Sequence, residues 1–122
     1  MDMLLMTGRA PFWEGLRPMV EQYGVQMRMV TSLDEGLAAV HEQAPALVLL
    51  DLGMDAEALR PAVIEILKID AMIHTAAVSE MSATDFHEQM EGLGMLMSLP
   101  GTPSAEDLTR LMVAFHDTLH CI

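Results

Sequence analysis

The sequence predicts an α/β protein: a doubly wound parallel sheet of five strands with helices on both faces. Three observations lead there. Five strand-like and five helix-like segments follow one another in strict alternation, the pattern that right-handed crossovers turn into a parallel sheet. The run Ala46-Leu-Val-Leu-Leu50 is apolar without a break, as in a strand buried on both faces, and is too short to span a bilayer. It ends in Asp51, with Gly53 two positions on, so a carboxylate stands at the carboxyl edge of the sheet, where open α/β folds place their sites. No repeat, low-complexity tract or internal linker interrupts the alternation, and residues 1–122 are expected to form one domain.

The first strand is Met3-Leu-Leu-Met6, closed by Thr7-Gly8. From Ala10 to Tyr23, Phe12, Leu16, Met19, Val20 and Tyr23 have helical spacing. Pro18 removes the bond to the Glu14 carbonyl, so this helix is expected to kink or to start late, and Gly24 to stop it. Val25 to Thr31 alternates and reads as a strand nearer an edge. Ser32-Leu-Asp-Glu35 is a capping box opening a helix with Leu37, Ala38, Val40 and His41, which ends at Gln43-Ala-Pro45. After the central strand, residues 53–57 read as a loop, and Pro61 as the first turn of a helix with Val63, Ile64, Leu67 and Lys68. Ala71 to Val78 is the fourth strand. Ser82-Ala-Thr-Asp85 opens the fourth helix, which stops at Gly92-Leu-Gly94. Met95-Leu-Met97 is read as a short fifth strand. Ser104-Ala-Glu-Asp107 opens the last helix, with Leu108, Leu111, Met112, Phe115 and Leu119 on one face.

Composition narrows the function. With 52% hydrophobic residues, 122 residues suffice for a real core. A formal charge of −12, from 18 acidic against 6 basic residues, argues against nucleic acid, whose phosphates require Lys and Arg, and against an anionic membrane surface. The single cysteine, Cys121, permits no intrachain disulfide, which suits an intracellular setting, and the first residues lack the basic flank of a signal peptide. Thirteen methionines serve either as core fillers or as adaptable contact residues.

Few residue sets carry chemistry. His116 and His120, four apart with Cys121 adjacent, have a spacing able to bind a transition metal, but no third ligand cluster is visible. Thr7-Gly-Arg-Ala10 is not a phosphate-cradling loop, and GxGxxG is absent. No Ser-His-Asp or Cys-His arrangement stands out, and His74 reads as a core or strand-end histidine. Asp51 remains the residue to explain, with Arg9 as an ion-pair candidate and Asp55 and Glu57 of the next loop as further oxygen ligands or, more commonly, the acidic first turn of a helix.

The central Leu49-Leu-Asp-Leu-Gly-Met54, the strand ending Ala76-Ala-Val-Ser79, Gly92-Leu-Gly94 and Leu99-Pro100 together resemble the receiver (CheY-like) domain of two-component response regulators, over essentially the whole chain. The resemblance implies a flavodoxin-like sheet in the order 2-1-3-4-5. It makes Asp51 the aspartate that takes a phosphoryl group from a histidine kinase, Ser79 the hydroxyl that senses it, and Asp51 with the Gly53 carbonyl ligands of Mg²⁺. Two family features are missing. The acidic pair that holds the metal is Thr7-Gly8 here, with Arg9 beside it, and the lysine after the fifth strand is Leu99. The sole lysine, Lys68, lies in the third helix. Phosphoryl transfer depends on positioning and charge neutralisation, so these losses act on the whole mechanism.

The expected function is therefore that of a pseudo-receiver: a stand-alone cytoplasmic module of a two-component or phosphorelay system, not an enzyme and without a cofactor. It would act by docking to a protein partner or to itself, with no output domain in 122 residues. The face expected to dock is the fourth helix, fifth strand and last helix, with Met90 as its exposed contact and Met95, Met97 and Met112 nearer the core. One alternative is an atypical phosphoacceptor, phosphorylated on Asp51 by a histidine kinase, with or without Mg²⁺ held by Asp55 or Glu57. A second is a flavodoxin-like small-ligand binder, which would need polar groups converging at the strand ends.

Overall fold

Met3 and Leu5 of strand β1 (Asp2–Thr7) pack into one helix layer, Leu4 and Met6 into the other, and all four are fully buried. The computed structural model describes residues 1–119. The same alternation divides β3 (Leu47–Asp51), where Leu47 and Leu49 face one way and Val48 and Leu50 the other. Such a strand is stable only with a layer on each side, and each fully buried side chain of this size contributes about 1.5–3 kcal/mol. With β2 (Gln26–Val30), β4 (His74–Val78) and β5 (Ser98–Leu99), these strands form a sheet in the order β2-β1-β3-β4-β5, every pair parallel. That is the order the resemblance implies, with the alternating strand β2 at an edge as its pattern predicts.

Helices α1 (Ala10–Glu14), α2 (Arg17–Glu21) and α6 (Ala105–Leu119) cover one face through Trp13, Val20, Leu108, Leu111 and Phe115. Helices α3 (Leu33–Glu42), α4 (Ala56–Ile69) and α5 (Ala83–Gln89) cover the other through Val40, Leu59, Val63, Ile66 and Phe86. The fourth and last helices of the sequence reading are thus α5 and α6, because the first is divided in two. Pro18 does not kink a continuous helix. The chain breaks at Gly15-Leu16, and Pro18 stands in the first turn of α2, where its missing N–H costs nothing.

Other element ends differ from expectation for local reasons. Ser32 caps α3 through the Glu35 N–H at 3.1 Å, but the Glu35 carboxylate turns to the Thr31 backbone N–H and hydroxyl, both at 3.2 Å, so only half of the capping box forms. Helix α4 starts at Ala56 rather than at Pro61, because Asp55 caps it by accepting the Ala58 N–H at 3.0 Å; Pro61 lies inside the helix. Ala71 and Met72 form a turn before β4, and Met72 is 83% exposed. Met95 to Met97 is not the fifth strand. The chain leaves a left-handed turn at Gly94 (φ 66°), the Leu96 N–H donates to the Thr75 carbonyl of β4 at 2.8 Å, the Ala77 N–H reaches the Met97 carbonyl at 3.4 Å, and the regular ladder begins at Ser98. On α6, Leu119 is partly exposed while the other four residues of its apolar face are buried.

Met90 is 4% exposed and belongs to the core beneath α5, which corrects its expected place at the surface. The physical reason is the short helix: Met90 is the C-cap residue of α5, one turn after Phe86, and points with it towards the sheet. Met3, Met6, Met27 and Met112 are likewise core residues, and Met19, Met29, Met54, Met81, Met95 and Met97 pack half-buried against the same two clusters.

Candidate functional site

The ladder between β1 and β3 places Thr7 directly beside Asp51 at the carboxyl edge of the sheet. The Thr7 hydroxyl donates to Asp51 Oδ2 at 2.8 Å. Gly8 then turns the chain, and the Arg9 N–H returns to the Thr7 hydroxyl oxygen at 3.0 Å. This aims the Arg9 side chain across the strand ends. Its guanidinium forks onto the carboxylate, Nε to Oδ2 at 2.7 Å and Nη2 to Oδ1 at 3.1 Å. Nη2 also donates to the Gly101 carbonyl at 2.7 Å, in the loop between β5 and α6.

Helix α1 follows at once, and its short length brings the fully buried Trp13 indole over the same carboxylate. Trp13 Nε1 donates to Asp51 Oδ2 at 2.7 Å. The Phe12 ring packs edge-on against Trp13 and lies 4.6 Å from the Arg9 guanidinium carbon, a cation–π contact. Asp51 is 8% exposed and the Arg9 side chain 36%. A buried carboxylate is tolerated only with its lone pairs satisfied and its charge opposed, and here Oδ2 takes three donors and Oδ1 one.

The other residues singled out in the sequence lie nearby with different tasks. A cleft of about 860 Å³ opens at the strand ends, and Arg9, Asp51, Gly53, Asp55, Ser79 and Glu80 are among the residues that line it. Ser79 is buried, and its Oγ accepts the Met81 N–H at 3.1 Å, a local turn bond. Gly53 has φ 67°, a conformation that favours glycine, in the turn out of β3. Asp55 is the cap of α4, and Glu57 is exposed in that helix's first turn. Leu99 is buried in β5, and Lys68 pairs with Glu65 on α4 at 3.3 Å. Of positions 7, 8 and 51, only Asp51 bears a carboxylate.

Sequence reasoning reached Asp51, Arg9, Ser79 and Gly53. It passed over Trp13 and the Gly101 carbonyl, and treated Thr7 only as a lost ligand position. An indole in the first helix after the Arg9 loop was the available signal, since a buried Trp N–H requires an acceptor. At the C-terminus, His116 Nε2 lies 3.0 Å from the Tyr23 carbonyl, while His120 and Cys121 of the suggested metal site lie outside the described residues. No helix among the described residues is long and apolar enough to cross a membrane.

No family model matches the chain, and no curated protein does. Solved structures do match. A two-component response regulator from Clostridium difficile superimposes with a TM-score of 0.79 at 12% identity, covering 98% of each chain. An orphan response regulator of H. pylori does so with 0.77 at 17% identity, over 94% of this chain and 96% of that one. The receiver domain of a Saccharomyces cerevisiae response regulator, crystallised with its histidine phosphotransfer signalling protein, gives 0.75 at 10% identity, over all of this chain and 92% of that one. The chain has the flavodoxin-like fold of response-regulator receiver domains, at identities where likeness speaks for the fold.

Proposed function

We propose that the chain is a pseudo-receiver: a cytoplasmic signalling module that docks to a protein partner or to a second copy of itself, with no phosphoryl group on Asp51. The observation that carries this reading is the Arg9 fork on the Asp51 carboxylate. To form an acyl phosphate, a carboxylate oxygen must turn a free lone pair to phosphorus while a metal and a lysine oppose the charge. Here the opposing charge is already inside the chain and bonded to the nucleophile. Releasing a single charge-assisted hydrogen bond costs about 1.5–3 kcal/mol, roughly ten- to a hundredfold in rate, and Oδ2 holds three donors.

Mg²⁺ fits this donor set poorly. A hard cation takes six or more oxygens, several of them carboxylate. Asp51 would supply the one carboxylate of the inherited set, with a guanidinium already in contact. Asp55, the other acid of the loop, is engaged as the cap of α4. Among the described residues no three of His, Cys, Asp and Glu gather into a metal-holding group.

Docking needs a surface. Between α5 and β5 a groove of about 590 Å³ has Phe86, Met90, Leu96 and Met97 in its lining and Arg110 of α6 at its side. The yeast receiver domain above was crystallised with a protein partner, so the fold supports such contacts. Each of the six Lys and Arg side chains has a carboxylate or carbonyl partner within the chain, against 18 acidic residues, a charge balance that does not favour nucleic-acid phosphates.

One observation favours a phosphoacceptor instead: Oδ1 of Asp51 accepts a single hydrogen bond, and the carboxylate lines an open cleft with Ser79. Incubation with acetyl phosphate, with and without Mg²⁺, followed by intact-mass measurement separates the two readings. The expected result is no adduct. A gain of about 80 Da, one phosphoryl group, on the wild type but not on Asp51→Ala would establish the phosphoacceptor and end the pseudo-receiver reading.

A further inference from the structure

We infer that Arg9 is a positioning residue for the loop between β5 and α6, holding that loop against the Asp51 carboxylate independently of the function proposed above. β5 is two residues long and lies at the sheet edge. The loop after it, Pro100-Gly-Thr-Pro103, contains two prolines that can donate no backbone hydrogen bond. Among the described residues, the Gly101 carbonyl is the one backbone group of Pro100 to Pro103 with a hydrogen-bond partner, Arg9 Nη2, 92 positions away in the chain, while Ser104 at the end of the loop is held separately by Asp107 and Leu108.

The geometry makes this a bolt rather than a casual contact. The nitrogen that holds Gly101 also holds Asp51 Oδ1, while Nε of the same plane holds Oδ2 and the Phe12 ring lies against the guanidinium. The fork is therefore pre-oriented before it meets the carbonyl, which lowers the ordering cost of that bond. One side chain joins the centre of the sheet to the loop that leads from β5 into α6. A loop fastened to the carboxylate in this way is held in one conformation at Gly101 and Thr102.

Amide ¹⁵N relaxation at Gly101, Thr102 and Ser104 tests the clamp. In the wild type these positions are expected to be as rigid as β3, with order parameters near 0.85. In Arg9→Lys a point charge cannot serve both carboxylate oxygens and the carbonyl, and the order parameters at Gly101 and Thr102 are expected to fall below about 0.6 while β3 keeps its value. Trp13→Phe removes a donor to Asp51 but leaves the Arg9 bridge intact, and is expected to leave the loop rigid. A mobile loop in the wild type, an unchanged loop in Arg9→Lys, or the same loosening in Trp13→Phe would each overturn the clamp. None of these outcomes depends on phosphorylation, which is read separately by mass.

Discussion

Replacing Arg9 by alanine tests how firmly Asp51 is engaged. The substitution removes two charge-assisted hydrogen bonds from a carboxylate that is 8% exposed. Cutting one partner from a fully buried ion pair costs roughly 3–5 kcal/mol. Arg9 is 36% exposed, so solvent screens part of its charge, and Thr7 and Trp13 go on donating to Oδ2. The expected loss is therefore smaller, about 2–3 kcal/mol. For a chain of this length that corresponds to a fall in Tm of roughly 6–12 °C. Asp51→Ala is expected to cost somewhat more, about 3–4 kcal/mol, because it leaves the fully buried Trp13 N–H without an acceptor. Urea unfolding followed by the fluorescence of Trp13, the only tryptophan, measures both variants and the double variant. The cycle is expected to return a coupling of about 1–2 kcal/mol. A loss under about 0.5 kcal/mol in Arg9→Ala with no coupling would show that Asp51 is free for other chemistry, and the argument from the fork would fail.

Two further outcomes concern the frame around the site. Gly36, in the first half of α3, has Met6 so close that an added Cβ would lie 2.4 Å from its sulfur. Gly36→Ala gains about 1 kcal/mol in helix propensity but overpacks a fully buried side chain at about 1–3 kcal/mol, so a net loss near 1 kcal/mol is expected and a higher urea midpoint would contradict it. At the start of α6, the Ser104 backbone N–H, the Arg110 side chain and the Ser104 hydroxyl hold the Asp107 carboxyl below its ordinary value of 3.8. A lowered folded pKa contributes stability that is fully present above that ordinary value and is lost as pH falls through the lower folded value. Stability measured from about pH 5 down to about pH 2 is expected to decline less steeply in Asp107→Asn than in the wild type, and identical slopes would refute the assignment.

Legibility tracked the range of the interactions involved. The caps at Ser32, Asp55 and Ser82 act over three residues, and Ser32 and Ser82 could be read directly from their spacing. Asp55 and Glu57 read as loop oxygen ligands or, more commonly, as the acidic first turn of a helix, while Pro61 offers a later helix start; in the folded chain Asp55 caps α4, Glu57 lies in its first turn and the proline is carried inside. The fifth strand was placed three residues early. Apolar residues at 95–97 satisfy a strand pattern and Leu96 does bond to Thr75 of β4, but after the left-handed Gly94 the regular register is reached only at Ser98. The sequence suggests a surface place for Met90, since a lone methionine near a helix end carries no sign of the face it takes, which the path of α5 over the core decides.

By itself the sequence determined the layered parallel sheet, its doubly buried central strand, and the placing of Asp51 at the sheet's carboxyl edge. Those follow from alternation, periodicity and breakers, all of them local. The resemblance to receiver domains adds the expectation that Thr7, Gly8 and Leu99 stand where that family carries charged groups. What only the tertiary structure decided is what surrounds that carboxylate instead. Thr7, Arg9 and Trp13 lie 44, 42 and 38 positions from it in the chain, and Gly101 lies 92 from Arg9. A hydrogen bond requires heavy atoms within about 3 Å and a set direction, and no pattern of residue types encodes that across such separations. The register of β1 on β3 and the short α1 bring those donors to one point, turning an aspartate that the sequence left open into the centre of a hydrogen-bonded network at the edge of the cleft.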